Sequence, residues 1–171
     1  MKSVDQHRSE APETVSCMIV TVSDTRTPET DSGGQLIKSL LEEAGHQIVG
    51  YEIVKDDYEG IRELIHEATS SPDVKAVILT GGTGISPRDT TYEAVSSLLD
   101  KQLPGFGEIF RYLSFTEDIG AAAILSRAIA GTSGGKAVFS IPGSTGAVKL
   151  AMERIIVPEI GHVMREIHKK E

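Results

Sequence analysis

Four short turns hold most of the residues in this sequence that could do chemistry. They are "SDTR" (Ser23–Arg26), "KDD" (Lys55–Asp57), "GGTG" (Gly81–Gly84) and "PGSTG" (Pro142–Gly146). Each directly follows an apolar run of strand length. Glycine in such a turn admits positive φ and the close approach of a ligand. Successive N–H groups can then form an anion nest, aided by the positive end of a following helix. Gly81, Gly82, Thr83 and Gly84 fit that description, as do Pro142, Gly143 and Ser144. Each group also has a plainer reading. The glycines can serve turn geometry alone, and Ser144 can simply cap a helix.

Two carboxylates accompany these turns, Asp56 in "KDD" and Asp89 in "SPRDTT". On neighbouring strand ends they could hold Mg²⁺ over phosphates. Here too a structural alternative stands. Asp56 can be a turn residue, and Asp89 can sit beside a helix N-terminus opened by the capping box Thr90-x-x-Glu93. Arg88 can face phosphate or solvent. Other chemistries find no support. "AGTSGGKA" fails the Walker A pattern, with Ala130 at the first glycine and Ala137 in place of Ser/Thr. There is no Gly-x-Gly-x-x-Gly dinucleotide fingerprint after the first strand. His7, His46, His66, His162 and His168 show no metal-ligand spacing. Cys17 lies in an apolar run and reads as a buried, inert thiol.

The elements that must position these residues follow from periodicity. "SCMIVTVS" (Ser16–Ser23) is a strand buried on both faces. A helix follows, with Ser32 and Gln35 as its capping box, and Gly45 stops it. His46–Val54 is a strand, and Ile61, Leu64, Ile65 and Ala68 mark one face of a helix. Val74–Thr80 is the next strand, and "TYEAVSSLLD" the next helix. "LPGFGEIFRYLSF" is a turn and then a helix from about Gly107, with Phe106, Ile109, Phe110 and Leu113 in core or interface. "EDIGAAAIL" is helical or ambiguous. "SRAIAGTSGGKAVFSIPG" reads as two antiparallel strands around "TSGG". "STGAVKLAMERII" is a helix, and Pro158 restarts the chain into a last one. The order predicts a single α/β domain, a three-layer α/β/α sandwich on a mostly parallel, mixed sheet. Residues 1–15 read as a flexible polar tail, and 16–169 as the domain.

Composition narrows the function. The chain has 171 residues and a formal net charge of −8, which argues against nucleic acid as a partner. No apolar run approaches a membrane span, and the N-terminus lacks a signal-peptide core. Cytoplasm is the expected location. An anionic small molecule would have to be held by backbone N–H groups, an arginine or two and a divalent cation.

The series "TVSDTR", "DSGG", "IVKDD", "LTGGTGISPRDTTYEA", "PGFGEIFRYLS", "AILSRAIAG" and "FSIPGSTGAVKLA" resembles the molybdenum-cofactor biosynthesis family MoaB/MogA, the MoaB branch in particular. The resemblance spans about Cys17 to His162. It implies a three-layer α/β/α domain assembled as trimers, or hexamers of two trimers, that binds molybdopterin. It further implies an adenylyltransferase that uses ATP and Mg²⁺ to place AMP on the molybdopterin phosphate, releasing pyrophosphate. The product would pass to the molybdate-insertion enzyme. Asp56 and Asp89 match the family's two important aspartates, as catalytic residues and metal holders. Gly81–Gly84, Pro142–Ser144, Ser23 and Asp24 match its substrate- and nucleotide-side turns. Glu108, Arg111 and Ser114 are candidates for the pterin side. Thr90 stands where the family commonly has valine, and Tyr92 where some adenylyltransferases have proline. A molybdopterin-binding protein without turnover, a scaffold and a nucleotide pyrophosphatase are the competing readings.

Overall fold

Apolar runs too short for helices become the central sheet. The computed structural model describes residues 2–170. Strands β1 (Ser16–Val22), β2 (Gln47–Val54), β3 (Ala76–Thr80) and β6 (Lys136–Ile141) run parallel to one another. β5 (Ile129–Ser133) pairs antiparallel with β6, and a two-residue β4 (Lys101–Gln102) pairs antiparallel with β5. The order is β2-β1-β3-β6-β5-β4. The mixed sheet expected from the "TSGG" turn is therefore present. Gly134 and Gly135 supply the positive φ of that turn, at 56° and 76°.

Alternating residues of the strands feed two cores. Cys17, Ile19, Ile78 and Phe139 pack against α2 (Ser32–Glu43), α5 (Pro104–Glu117), α6 (Thr145–Ala151) and α7 (Val157–Ile167). Met18, Val20, Val77, Leu79 and Val138 pack against α3 (Tyr58–Ser70) and α4 (Thr91–Leu98) on the other face. That is the three-layer arrangement. Cys17 is fully buried, and burial pushes its thiol up to about 12, as suits an inert core residue.

Several local expectations need correction. The residues read as a polar tail contain a helix, α1 (Lys2–Ser9), because long-range ion pairs hold it: Arg8 with Glu159, and Glu10 with Arg165. Sequence periodicity carries no trace of such partners. α2 is capped by Asp31 rather than Ser32, since the Asp31 carboxylate accepts from Gly34 N at 3.0 Å. α5 begins at Pro104, whose missing N–H costs nothing in a first turn. "GAAAIL" (Gly120–Leu125) is a 3₁₀ turn. Pro158 does not restart the chain. α6 continues through a π-helical turn (Met152–Ile156) into α7, and Val157 N donates to Met152 O five residues back. The wider turn accommodates a residue without an N–H.

Asp31 is the buried link between β1, β2 and α2. It is 2% exposed and accepts from Thr21 Oγ1 at 2.6 Å, from Gly34 N, and from the Tyr51 hydroxyl. Burial, reinforced by the Asp31 carboxylate, pushes the Tyr51 pKa upward and keeps that hydroxyl a neutral donor. A Cβ on Gly34 would lie 2.3 Å from both Asp31 Oδ2 and Tyr51 Oη, so the network leaves room for nothing larger.

The strand ends are equally crowded. Gly81 has φ 102°, and a Cβ there would meet Val22 O at 2.2 Å. Gly105, near the start of α5, has open space around it. Gly81→Ala is expected to cost about 2–5 kcal/mol, from strain plus a clash with immovable backbone. Gly105→Ala is expected to be neutral or to stabilise by up to about 1 kcal/mol. Urea unfolding of the two variants checks this, and similar midpoints would contradict it.

Candidate functional site

The strand order reverses direction at β1. The chain goes from β1 outward to β2, then returns to place β3 on β1's other side. Ligands of open α/β sheets bind beyond the carboxyl ends of strands at such a switch point. The four turns singled out above all leave carboxyl ends of parallel strands and therefore share one edge. A small cavity of about 90 Å³ opens there, lined by Ser23, Arg26, Asp31, Gly33, Gly81 and Gly143, among others. Its size comes from close backbone approach. A Cβ on Gly33 would sit 3.2 Å from Gly143 O, and one on Gly143 would sit 3.4 Å from Gly81 Cα.

Ser23 organises its own turn. Its Oγ accepts from Arg26 N at 3.0 Å and Thr25 N at 3.2 Å. Asp24 follows and bridges to the next two turns. Its Oδ1 accepts from Asp56 N at 3.2 Å, and its Oδ2 pairs with Arg88. Arg88 thus faces a carboxylate, with its side chain 76% exposed. Asp56 Oδ1 accepts from Thr90 N at 3.1 Å and Thr90 Oγ1 at 2.7 Å. This overturns the capping box at α4. Thr90 is the N-cap residue, but its hydroxyl serves Asp56 and caps nothing, while Glu93 turns to Arg127. Asp89 closes a turn of its own, accepting from Ser86 N at 2.9 Å.

Asp56 and Asp89 lie against the glycine loop from two sides. A Cβ on Gly82 would meet Asp56 Oδ2 at 2.8 Å and Thr91 Oγ1 at 2.1 Å; one on Gly84 would meet Asp89 Oδ2 at 2.6 Å. Gly81 and Gly82 have φ of 102° and 68°. These glycines therefore serve both backbone conformation and contact with the carboxylates. Thr91 Oγ1 is buried with no hydrogen-bond partner in this cradle. The hydrogen bonds that hold the loop use Gly81 N, which donates to Ile141 O, and the carbonyls of Thr83 and Gly84. The amides of Gly82, Thr83 and Gly84 are outside that set.

Pro142 and Gly143 close the neighbouring turn, where Pro142 O accepts from Thr80 Oγ1 at 3.0 Å. Ser144 caps α6, accepting from Ala147 N at 3.2 Å. Pro142 and Ser144 line a second cavity of about 230 Å³, together with Thr83, Gly84, Ser114 and Asp118. Glu108 and Arg111 line an adjoining cavity of about 400 Å³ with Tyr92 and Arg127, and Ser126 borders both. So Ser114 joins the glycine loop, while Glu108 and Arg111 sit one cavity away. The Arg111 guanidinium donates to Ala128 O at 3.1 Å. Phe106 and Phe110 are core.

Arg127 is a residue of this candidate site that sequence reasoning left without a role. Its Nε donates to Gly84 O at 2.9 Å, an Nη donates to Asp89 O at 3.2 Å, and its backbone N donates to Thr83 O at 3.0 Å. It also pairs with Glu93 and stacks over Tyr92 at 5.0 Å. The guanidinium holds the Glu93 carboxyl below its ordinary range. The residue sits inside the motif "AILSRAIAG", and only its contacts reveal that it ties the far end of the glycine loop to the Asp89 turn.

No histidine or cysteine lines the two cavities beside the glycine loop, among the described residues. The donors there are carboxylate oxygens, hydroxyls and backbone amides, the chemistry that suits polyanions and hard cations.

Comparison with known proteins agrees with this geometry. Residues 18–162 match a family described as "Probable molybdopterin binding domain". "Molybdenum cofactor biosynthesis protein B" of Halalkalibacterium halodurans is 66% identical over 167 residues, 98% of each chain. The Bacillus subtilis protein of the same description is 58% identical over 167 residues, again 98% of each. The crystal structure of the tungsten cofactor synthesizing protein MoaB from Pyrococcus furiosus superposes with a TM-score of 0.82 at 38% identity, covering 93% of this chain and 100% of that one. A fold with this strand order, a glycine loop between two aspartates and similarity along nearly the whole chain lead to one assignment: the chain belongs to the molybdenum cofactor biosynthesis family of molybdopterin-binding domains.

Proposed function

We propose that the protein adenylylates molybdopterin, using ATP and Mg²⁺ and releasing pyrophosphate. The observation that carries this reading is the convergence of Asp56 and Asp89 on Gly81–Gly84, with Asp24 bonded to the Asp56 amide and Pro142–Ser144 on the adjacent strand end. In the reaction a phosphate oxygen of molybdopterin attacks the α-phosphorus of ATP in line. The bond from the α-phosphorus to the bridging oxygen breaks, and pyrophosphate leaves with that electron pair. The nucleophile is already ionised, so a general base is not required. What the protein must supply is positioning and charge stabilisation. The amides of Gly82, Thr83 and Gly84 are the groups to cradle phosphate. Arg127 keeps the loop in place.

The residues present fit a Mg²⁺ ion. Asp56 Oδ2 and Asp89 Oδ1 are carboxylate oxygens outside the hydrogen bonds that fix these side chains. They would hold the ion, whose chemistry is to neutralise the charge of the reacting phosphates. With a net charge of −8, the protein has need of such a cation.

Asp89→Asn retains an acceptor for Ser86 N but removes the charge. It is expected to lower turnover on the order of a hundred-fold, about 3 kcal/mol of barrier, with the far-UV spectrum unchanged. The check is formation of adenylyl-molybdopterin from molybdopterin, ATP and Mg²⁺. Turnover within a few-fold of wild type removes Asp89 from the metal role. Saturable molybdopterin binding without adenylylated product in the wild type favours a binding protein instead. Cleavage of ATP or ADP-ribose without pterin favours a pyrophosphatase.

Self-association as a trimer or hexamer belongs to the same reading. What supports it is an apolar surface on α5 and the turn that follows. Ile109, Tyr112 and Phe115 recur at i, i+3 and i+6, and Ile124 is 81% exposed in the single chain. Such a patch marks an interface in a soluble protein. Light scattering on the eluted peak is expected to give a trimer or larger at micromolar concentration, and Phe115→Glu with Ile124→Glu to shift it toward monomer. A wild-type monomer at that concentration would contradict the assembly.

A further inference from the structure

Far from the glycine loop, the fold brings together two histidines that sequence spacing keeps apart. His162 and Glu166 are four residues apart on α7 and project from the same side of that helix. His7 reaches them from α1. Its Nδ1 lies 3.3 Å from Glu166 Oε1, and His162 Nε2 lies 3.9 Å from the same oxygen. One ligand atom from each of the three falls within 4.8 Å of the others. Ligands about 2.0–2.2 Å from a tetrahedral zinc ion lie roughly 3.4 Å apart. The contacts around Glu166 match that spacing.

Each member already has a protein partner, and Glu166 Oε1 accepts from Arg165 Nη1 at 2.7 Å, a bond that an ion would replace. His162 Nδ1 lies 2.9 Å from Glu159 Oε2, the carboxylate contact that orients a metal-bound imidazole and leaves its other nitrogen free. The two rings meet edge-on, 5.9 Å between centroids, and do not stack face to face. The side chains of His7, His162 and Glu166 are 32%, 20% and 41% exposed, so an ion can enter from solvent. Glu10, Glu159 and Glu166 are balanced by Arg8, Arg165 and Lys169, which points to moderate affinity.

A metal would add a third tie to the ion pairs that hold α1. The helix has eight residues, too few to be stable alone. Its sequence "KSVDQHRS" has one apolar side chain, Val4, and that is 41% exposed. Hydrophobic burial therefore does not dock it. The chain after it packs close to α7 at Gly161, where a Cβ would meet Pro12 O at 2.8 Å. This part of α7 lies toward the amino ends of the strands, since His168 approaches the β5–β6 turn at Gly135. The cluster is thus distinct from the site formed at the carboxyl ends.

We propose that His7, His162 and Glu166 bind a zinc-type divalent cation, with solvent completing the coordination, and that the ion pins α1 to α7. Two imidazoles and one carboxylate favour Zn²⁺ or Co²⁺ over Mg²⁺. The test titrates the untagged full-length protein with Zn²⁺ by calorimetry and with Co²⁺ by visible absorption. The expected result is one equivalent per chain with micromolar affinity, a low-coordinate Co²⁺ band, and slowed hydrogen exchange in residues 3–10 on adding Zn²⁺. His7→Ala and His162→Ala should each abolish that band. Glu159→Gln should weaken binding about tenfold. Asp56→Asn with Asp89→Asn should leave the Zn²⁺ isotherm unchanged. Absence of saturable binding at micromolar metal overturns the proposal, as does binding that survives His7→Ala.

Discussion

Three parallel strands end side by side, and their backbones approach so closely only because glycine stands at the contacts. Thr21 of β1 lies opposite Thr80 of β3, which lies opposite Ile141 of β6. Just beyond that row, Gly81 presses on the Val22 carbonyl and Gly33 on the Gly143 carbonyl. Every element of the candidate site hangs from this arrangement. A side chain at Gly81 would push β3 from β1 and carry the glycine loop away from Asp56 and Asp89. Parallel pairing makes the edge polar, since strand ends leave backbone groups that the sheet does not use. Glycine allows a ligand to reach them.

Around that edge the acidic groups are tied to one another through donors, so each lends rigidity to the next. Asp24 accepts from the amide of Asp56, Asp56 accepts from Thr90, and Thr90 follows Asp89 directly. Three turns from distant parts of the chain become one surface. Arg127 completes it from a fourth segment, holding the carbonyls of Gly84 and Asp89. Its position over Tyr92 and against Glu93 fixes the guanidinium plane, which is what lets a single side chain serve several carbonyls. Asp31 plays the matching role below, joining β1, β2 and α2 through a buried carboxylate with three donors. A preorganised site of this kind suits reactions between two polyanions, where positioning accounts for most of the work.

Capping signals show where local reading breaks down. Ser32-x-x-Gln35 and Thr90-x-x-Glu93 both have the capping-box spacing, and neither forms one. In the first, the preceding Asp31 is a stronger acceptor and is already buried. In the second, Thr90 is drawn to Asp56 and Glu93 to Arg127, both supplied by distant segments. Tertiary partners outbid local ones because a charged partner makes a stronger hydrogen bond than a neutral amide does. The same reason explains α1. Its polar residues look structureless until α7 supplies Glu159 and Arg165.

By itself, the sequence determined the alternation of strands and helices, the two buried faces of β1 and β3, the antiparallel return at "TSGG" and the four turns at strand ends. Those depend on periodicity, turn chemistry and burial, which act over a few residues. The motif series also carried the family. Only the tertiary structure decided which carboxylates meet which loop, that Arg127 anchors it, that β4 adds an edge, and that His7 reaches α7. These depend on contacts between segments tens of residues apart, and a linear chain holds no record of such distances.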